Sequence, residues 1–488
     1  MSMHKLIETK GLRILCIAEI RGNLSLLNDL AENFNADLII HTGSFGFFDN
    51  ESISKIHESY LRHIIAFCPL LDSEIVDKVS ELSKIDNSNS SSNGINGDYN
   101  VDQKDLDLKK YLEGVQLSEL MDFINGYKFL KIPVYTIYGM VEDSTVIDKF
   151  KLGIYSIPNL FIIDENQTFK VTSPIDGTKI FLCGLGGSLS YQKLFHHGTF
   201  NNEINQSYES ISNTGGINDE FLPVSGDPGN IWITMVQIGQ FIKTVEENYS
   251  PQDVRIMITH PSPSREGLLG HLAVITKMDY TISNGLHFLY PSSFNELSIC
   301  PNFEFYKSKF SEARTQLSNI WTNVSKTVEQ IISNNEHLTN LLSIALSNFD
   351  KIPVVTTNKN EEIIPISLSN FKRDINSNII RSQNDSYYIA FQNIWHFNLC
   401  DVSVGSILLD VQDGNFQFQA NSKGFNFKYR ENLTNDQQNL NLKQSSIPSS
   451  TSNSNSNSNS TTNIRNSPGN SGFKRGGNRG GRGGYKKY

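Results

Sequence analysis

The chain has 488 residues and 42 Lys and Arg against 51 Asp and Glu, a formal net charge of −9. That length suits one large domain with insertions, or two domains. No stretch approaches the roughly 18 consecutive apolar residues of a membrane-spanning helix. "MSMHKLIETKGLRILCIAEI" lacks the basic region and apolar run of a signal peptide. The expected location is therefore the cytoplasm or nucleus, with no membrane partner. Charge is segregated: residues 464–488 hold seven basic residues and no acid, leaving 35 basic against 51 acidic residues elsewhere. Cys16, Cys68, Cys183, Cys300 and Cys400 lie far apart with no Cys-x-x-Cys pair, which favours buried thiols over a zinc knuckle or a disulfide framework.

In chain order, "LRILCIAEI" reads as a buried strand, and Leu24, Leu27, Leu30, Ala31 and Phe34 then recur at helical spacing before a second strand in "ADLIIHTG". Further short apolar runs end in loop residues at "IPVYTIYG" (132–139), "KIFLCGLGG" (179–187), "VRIMITHPSP" (254–263) and "DYTISNGLH" (279–287). The polar stretches "NSNSSSNGINGDYN" (87–100) and "NNEINQSYESISNTGGINDE" (201–220) read as disordered insertions, bounded near 87–104 and 201–225. Between Phe305 and Phe349, apolar residues from Phe310 to Leu338 keep spacings of three, four or seven, which predicts a long helix or a helical pair. Strand character returns over 387–419, with a hairpin at Asp413–Gly414. Beyond about residue 435 the Asn/Ser repeats and an Arg-Gly end predict a disordered tail. The expected organisation is an α/β core over 12–300, a helical insertion over 301–350, strands completing the core over 351–430, a linker over 435–463 and a basic tail over 464–488.

The strand ends read "AEIRGN", "HTGSFGFFD", "YGMVED", "ITHPSP" and "SNGLH". In order and context they resemble the five loops of the calcineurin-like metallophosphoesterase superfamily: Asp-x-His, Gly-Asp-x-x-Asp, Gly-Asn-His-Asp/Glu, a strand-end His, and Gly-His-x-His. "ITHPSPSREGLL" and "GLHFLYPSSFNE" also look like a fungal branch of that superfamily, which bears on the fold more than on any activity. The resemblance implies a two-sheet β-sandwich flanked by helices, an α/β fold of the α+β sandwich kind. It also implies a site for two divalent metals that activate water for phosphoester hydrolysis.

Carried over loop by loop, the family's first Asp and His fall on Glu19 and Arg21, and its bridging carboxylate on Ser44. The Asn ligand and catalytic His fall on Met140 and Val141, with Glu142 and Asp143 following. His260 keeps its place, and Gly-His-x-His falls on Asn284, Gly285, Leu286 and His287. Of seven metal ligands, only Glu19, His260 and His287 can donate. A guanidinium has no lone pair to give, and two dications need a bridging anion that Ser44 does not supply. Two-metal chemistry is therefore not expected, and neither is a resident cofactor. An active variant would hold one Zn, Mn or Fe through Glu19, Asp143, His260 and His287.

Arg21 admits two readings. It can replace a metal in an anion pocket with Gly22, Asn23, Ser44, Ser264 and Arg265, using free N–H groups at a helix start. It can instead pair with Glu19, Glu142 or Asp143 in a structural ion cluster. His260 and His287 are likewise open between ligands and hydrogen-bonded core histidines. In the tail, Arg475, Arg479 and Arg482 between Gly pairs, with Phe473, Tyr485 and Tyr488, resemble the RGG segments of RNA-associated proteins. Such segments pair with phosphate and stack on bases, and suit RNA rather than sequence-specific DNA. The expectation is a catalytically degenerate phosphoesterase-fold protein acting as an RNA-associated binding or scaffold protein. The alternatives are a divergent metal-dependent phosphoesterase or nuclease, and a protein-interaction subunit using the 305–349 helices.

Overall fold

The structure, a computed structural model, describes residues 11–89, 108–198, 221–285, 289–352 and 385–427, with side chains described to residue 81 in the helix Ser73–Asn89. Residues up to Phe425 belong to one compact unit; the second, Asn426–Tyr488, lies almost wholly outside the described residues. The basic tail and its arginines fall there. His287 and most of both polar insertions are also outside.

The fold is mixed α/β with two six-stranded mixed sheets. One orders its strands β14 (Asn415–Ser422), β13 (Gly405–Gln412), β1 (Leu12–Ile17), β2 (Leu38–His41), β3 (Val134–Thr136) and β4 (Leu160–Ile162). The other runs β11 (Ser292–Asn295), β12 (Trp395–Leu399), β10 (Tyr280–Asn284), β9 (Val254–Thr259), β6 (Lys179–Leu185) and β5 (Phe169–Thr172), and a two-stranded sheet pairs β7 (Gly226–Asp227) with β8 (Asn230–Ile231). Strands β1 to β4 are parallel, as are β6, β9, β10 and β12; antiparallel strands close the edges.

Continuous apolar runs form these strands because both faces are covered. Leu12, Ile14 and Cys16 of β1 meet Ile180, Leu182, Ile256 and Ile258 of the opposite sheet in a shared core. The alternate residues Leu15 and Ile17 pack outward with Leu27 and Ala31 of the helix Ser25–Phe34. On the far side, Phe181, Cys183 and Met257 pack against the helices Met235–Asn248 and Gly267–Ile275 and the helical pair Phe303–Ile332 and Glu336–Phe349. The result is four layers, with the site loops at the parallel strand ends.

The helical pair falls where the apolar spacing predicts it, pinned by Arg314 on Asp350 at 3.1 Å. The two-residue turn Asp413–Gly414 has φ of 52° and 71°, a primed hairpin turn as expected. Three expectations need correction. Residues 386–393, read as strand, form a helix: Asp385 caps it through the Tyr387 N–H at 2.9 Å, and Tyr387, Ala390 and Phe391 bury one face. The first insertion begins later than residue 87, since the helix Ser73–Asn89 runs through that point. The second ends before residue 225, because Leu222 and Val224 are buried. Among the described residues no helix is long and apolar enough to cross a membrane.

The Val224 N–H donates to Asp148 at 2.8 Å, tying the end of that insertion to the helix Ser144–Lys151. Burial pushes Asp148 up to about 7, against the pull of Lys151 and this N–H; Glu165 and Asp143 push it further. An acid whose pKa is raised by folding stabilises the fold below its unfolded value, and that contribution is lost as pH rises through about 7. Asp148→Asn keeps an acceptor and removes the charge. Its melting temperature relative to wild type should therefore rise between mildly acidic and mildly alkaline pH; a constant difference across a pH series would count against it.

Candidate functional site

Two loops beyond β1 and β2 build the site. The N–H groups of Glu19, Arg21 and Gly22 donate to the carbonyls of Gly43, Ser44 and Phe45 at 3.2, 2.9 and 2.9 Å, zipping the loops together. Glu19, Arg21 and Ser44 sit at φ of 59°, 46° and 58°, a left-handed conformation that costs an ordinary residue roughly 1–2 kcal/mol. Gly22 and Gly46 press backbone to backbone: a Cβ on Gly46 would lie 2.3 Å from the Gly22 Cα. Only glycine fits there.

Glu142 braces the second loop from inside. Its carboxylate accepts from the N–H groups of Gly46 at 2.6 Å and Phe47 at 3.1 Å, and from that of Gly139. Burial still pushes its pKa up against those donors. Asp143 caps the helix Ser144–Lys151, accepting from the Thr145 N–H at 3.0 Å and the Ser52 hydroxyl at 2.7 Å. Both carboxylates of this loop are structural.

Above these loops lies a cavity of about 410 Å³. Glu19, Arg21, Ser44, His63, His260, Asn284 and Asp401 supply most of its polar lining, and Phe48, Ile64, Phe67, Met140, Leu289 and Val404 much of its apolar wall. Arg21 donates to Glu19 and to Asp401, and its guanidinium lies 5.5 Å from the Phe67 ring centre. Asn284 donates to Glu19 at 2.5 Å, and Asp401 accepts from the Ser403 N–H at 2.8 Å. Burial raises the Asp401 pKa, but Ser403 and Arg21 outweigh it and hold the carboxyl below its usual range.

His260 is buried and its Nδ1 lies 3.1 Å from the Thr42 carbonyl. A carbonyl only accepts, so Nδ1 carries the proton and Nε2 keeps a free lone pair at the cavity wall. Burial lowers the His260 pKa against that bond, and lowers His63 on the apolar side, helped by the Arg21 charge. Both imidazoles are neutral near pH 7. Behind them, burial drives His41 down to about 3, with His260 adding to it.

The sequence-predicted residues divide accordingly. Glu19, Arg21, Ser44 and His260 come together. Ser264 and Arg265 do not line this cavity; Ser264 bonds Ser262 at 2.9 Å, and Arg265 is exposed. The anion-pocket expectation also meets two obstacles at the helix start. The Gly22 and Asn23 N–H groups are bonded to carbonyls, and Glu119 already occupies the N-terminus, accepting from the Ser25 N–H at 2.7 Å. Arg21 is flanked by two carboxylates, so the described polar lining carries one negative charge more than positive.

The metal set fits no better. Glu19 is taken by Arg21 and Asn284, Asp143 by its cap, and His287 lies outside the described residues. Among the described residues no three of His, Cys, Asp and Glu sit together as ligands. Asp401, Glu119 and Phe67 went unread in the sequence; the only signal for Asp401 was a carboxylate just past the apolar run "WHFNLC".

Replacing Arg21 by Met would leave Glu19 and Asp401 facing each other. The side chains of Arg21 and Asp401 are 28% and 26% exposed, so water offsets part of the several kcal/mol of a fully buried pair. The expected loss is about 2 kcal/mol, read as a lower urea midpoint, with partial recovery when Asp401→Asn is added. An unchanged midpoint would remove the cluster's structural role.

A family model described as a protein of unknown function, DUF2433, matches residues 290–430. No curated protein matches the chain. The matched segment contains Asp401 together with β11 to β14.

Proposed function

We propose that the chain is a non-catalytic binding protein on a metallophosphoesterase-like scaffold, in which Arg21 stands where a dication would, and that it associates with RNA through its C-terminal tail. The observation that carries the first part is the pairing of Arg21 with both Glu19 and Asp401. A guanidinium stays protonated, supplies no lone pair, and here consumes the carboxylates that a metal would use. Two facing mixed sheets with loops at parallel strand ends support the scaffold assignment. The RNA part rests on Arg475, Arg479, Arg482, Phe473, Tyr485 and Tyr488 in the sequence. Tethering by such a tail raises the local RNA concentration around the folded body.

Elemental analysis tests the first part. The wild-type chain should carry no stoichiometric zinc, manganese or iron. Restoring the motif residues with Arg21→His and Ser44→Asp should raise metal uptake on the same scaffold. Near-stoichiometric metal in wild type, lost on His260→Ala, would instead make the chain a metal-dependent phosphoesterase.

Crosslinking to RNA tests the tail. Deleting residues 464–488 should abolish most crosslinking, and the intact chain should lose it steeply as salt rises. Crosslinking that survives the deletion would move RNA contact to the folded body.

A further inference from the structure

The cavity above Arg21 has the size and lining of a small-molecule site. Four observations together define what it accepts. Its polar lining sets the carboxylates of Glu19 and Asp401 against the single guanidinium of Arg21. His260, 4% exposed, turns a lone pair rather than a proton to the cavity wall and has no second partner among the described residues. No lysine is among its described lining residues. The remaining wall is largely apolar and carries three rings, Phe48, His63 and Phe67.

An incoming anion meets surplus negative charge and the Nε2 lone pair of His260, whose Nδ1–H is spent on the Thr42 carbonyl. A neutral apolar molecule fills the wall but leaves Nε2 of His260 without a donor and the surplus carboxylate charge unbalanced, at a desolvation cost. A cation with N–H groups satisfies both: it balances the second carboxylate, donates to Nε2 of His260, and its apolar body covers the rings and aliphatic wall. Existing bonds hold the acceptors in place before any ligand arrives: Arg21 and Asn284 on Glu19, Arg21 and Ser403 on Asp401, and the Thr42 carbonyl on His260.

We propose that this cavity binds a small organic cation, an amine or amidine carried on an apolar, ring-sized body. The inference rests on the reading that Arg21, and not a metal, occupies this end of the strands. It goes further in naming the chemical class the pocket takes.

The test uses the full chain in the presence of a chelator at near-neutral pH and low salt. Phenethylamine, its neutral isostere 2-phenylethanol and the anion phenylacetate are titrated by calorimetry or ligand-observed NMR. Phenethylamine should bind at least about tenfold more tightly than either, a difference of about 1.4 kcal/mol, and should weaken as salt rises. Asp401→Asn should weaken the amine about tenfold while leaving 2-phenylethanol unchanged. Val141→Trp, which adds bulk at a lining residue that is not a member of the ion cluster, should abolish binding of all three. Equal or tighter binding of phenylacetate, amine binding that survives Val141→Trp, or no amine binding at about 10 mM would each overturn the proposal. Elemental analysis of the same preparation separates the two failures. Resident metal refutes the underlying reading, whereas a metal-free chain without amine preference refutes this inference alone.

Discussion

A permanent positive charge held between two carboxylates organises this end of the molecule. Glu19 follows β1, Asp401 lies between β12 and β13, and Asn284 ends β10. Through Arg21 and its partners, strand ends from both sheets are fastened at one point. The guanidinium cannot be neutralised by pH, so the pairing persists wherever Asp401 stays ionised, and Ser403 together with Arg21 holds Asp401 low against its burial. The left-handed residues of the two loops are tolerable because this cluster, three inter-loop hydrogen bonds and the Gly22–Gly46 contact over-determine their conformation.

The fate of the other acids follows the same logic. Glu142 could have faced the cavity, but the turn at 43–47 presents N–H groups inward and draws its carboxylate to them. Asp143, one residue on, starts a helix and is spent on its cap. Glu119 reaches across 94 residues of sequence to the helix that begins at Ser25. Each answers an unmet backbone donor nearby. A carboxylate engaged in this way is a poor metal ligand, because coordination would reopen the donor it satisfies. The site is built from hydrogen bonds that the fold itself requires.

Much of the fold was legible because both-face burial leaves a strong trace. The runs at β1, β2, β6 and β9 are continuous and flanked by turns, and they are strands for the reason their composition suggests. The helix at 386–393 was misread because Tyr387, Tyr388, Ile389 and Phe391 favour strands locally, while its burial follows tertiary contacts with His271 and the long helix. Short strands such as β4 and β11 gave too little pattern to see. In the site, Glu19, Arg21, Ser44 and His260 were read from the resemblance of their strand-end loops to the metallophosphoesterase motifs. Asp401 was not, since nothing local in the sequence pairs it with an arginine 380 positions earlier. One acid sets the sign of the site: with Glu19 alone the ion pair would carry no net charge, and with Asp401 it becomes an acidic floor.

Residues 290–430 do not form a separable module. Their strands β11 and β12 complete one sheet beside β10, and β13 and β14 complete the other beside β1. Removed from the chain, those strands would lose the parallel and antiparallel neighbours that satisfy their backbones, and the inward residues Phe397, Leu399, Ile407 and Leu409 would face water. The segment between β12 and β13 is also the one that delivers Asp401 to Arg21. Closing both sheets and setting the charge of the cavity are thus one structural event, because the crossover that links the sheets carries the second carboxylate.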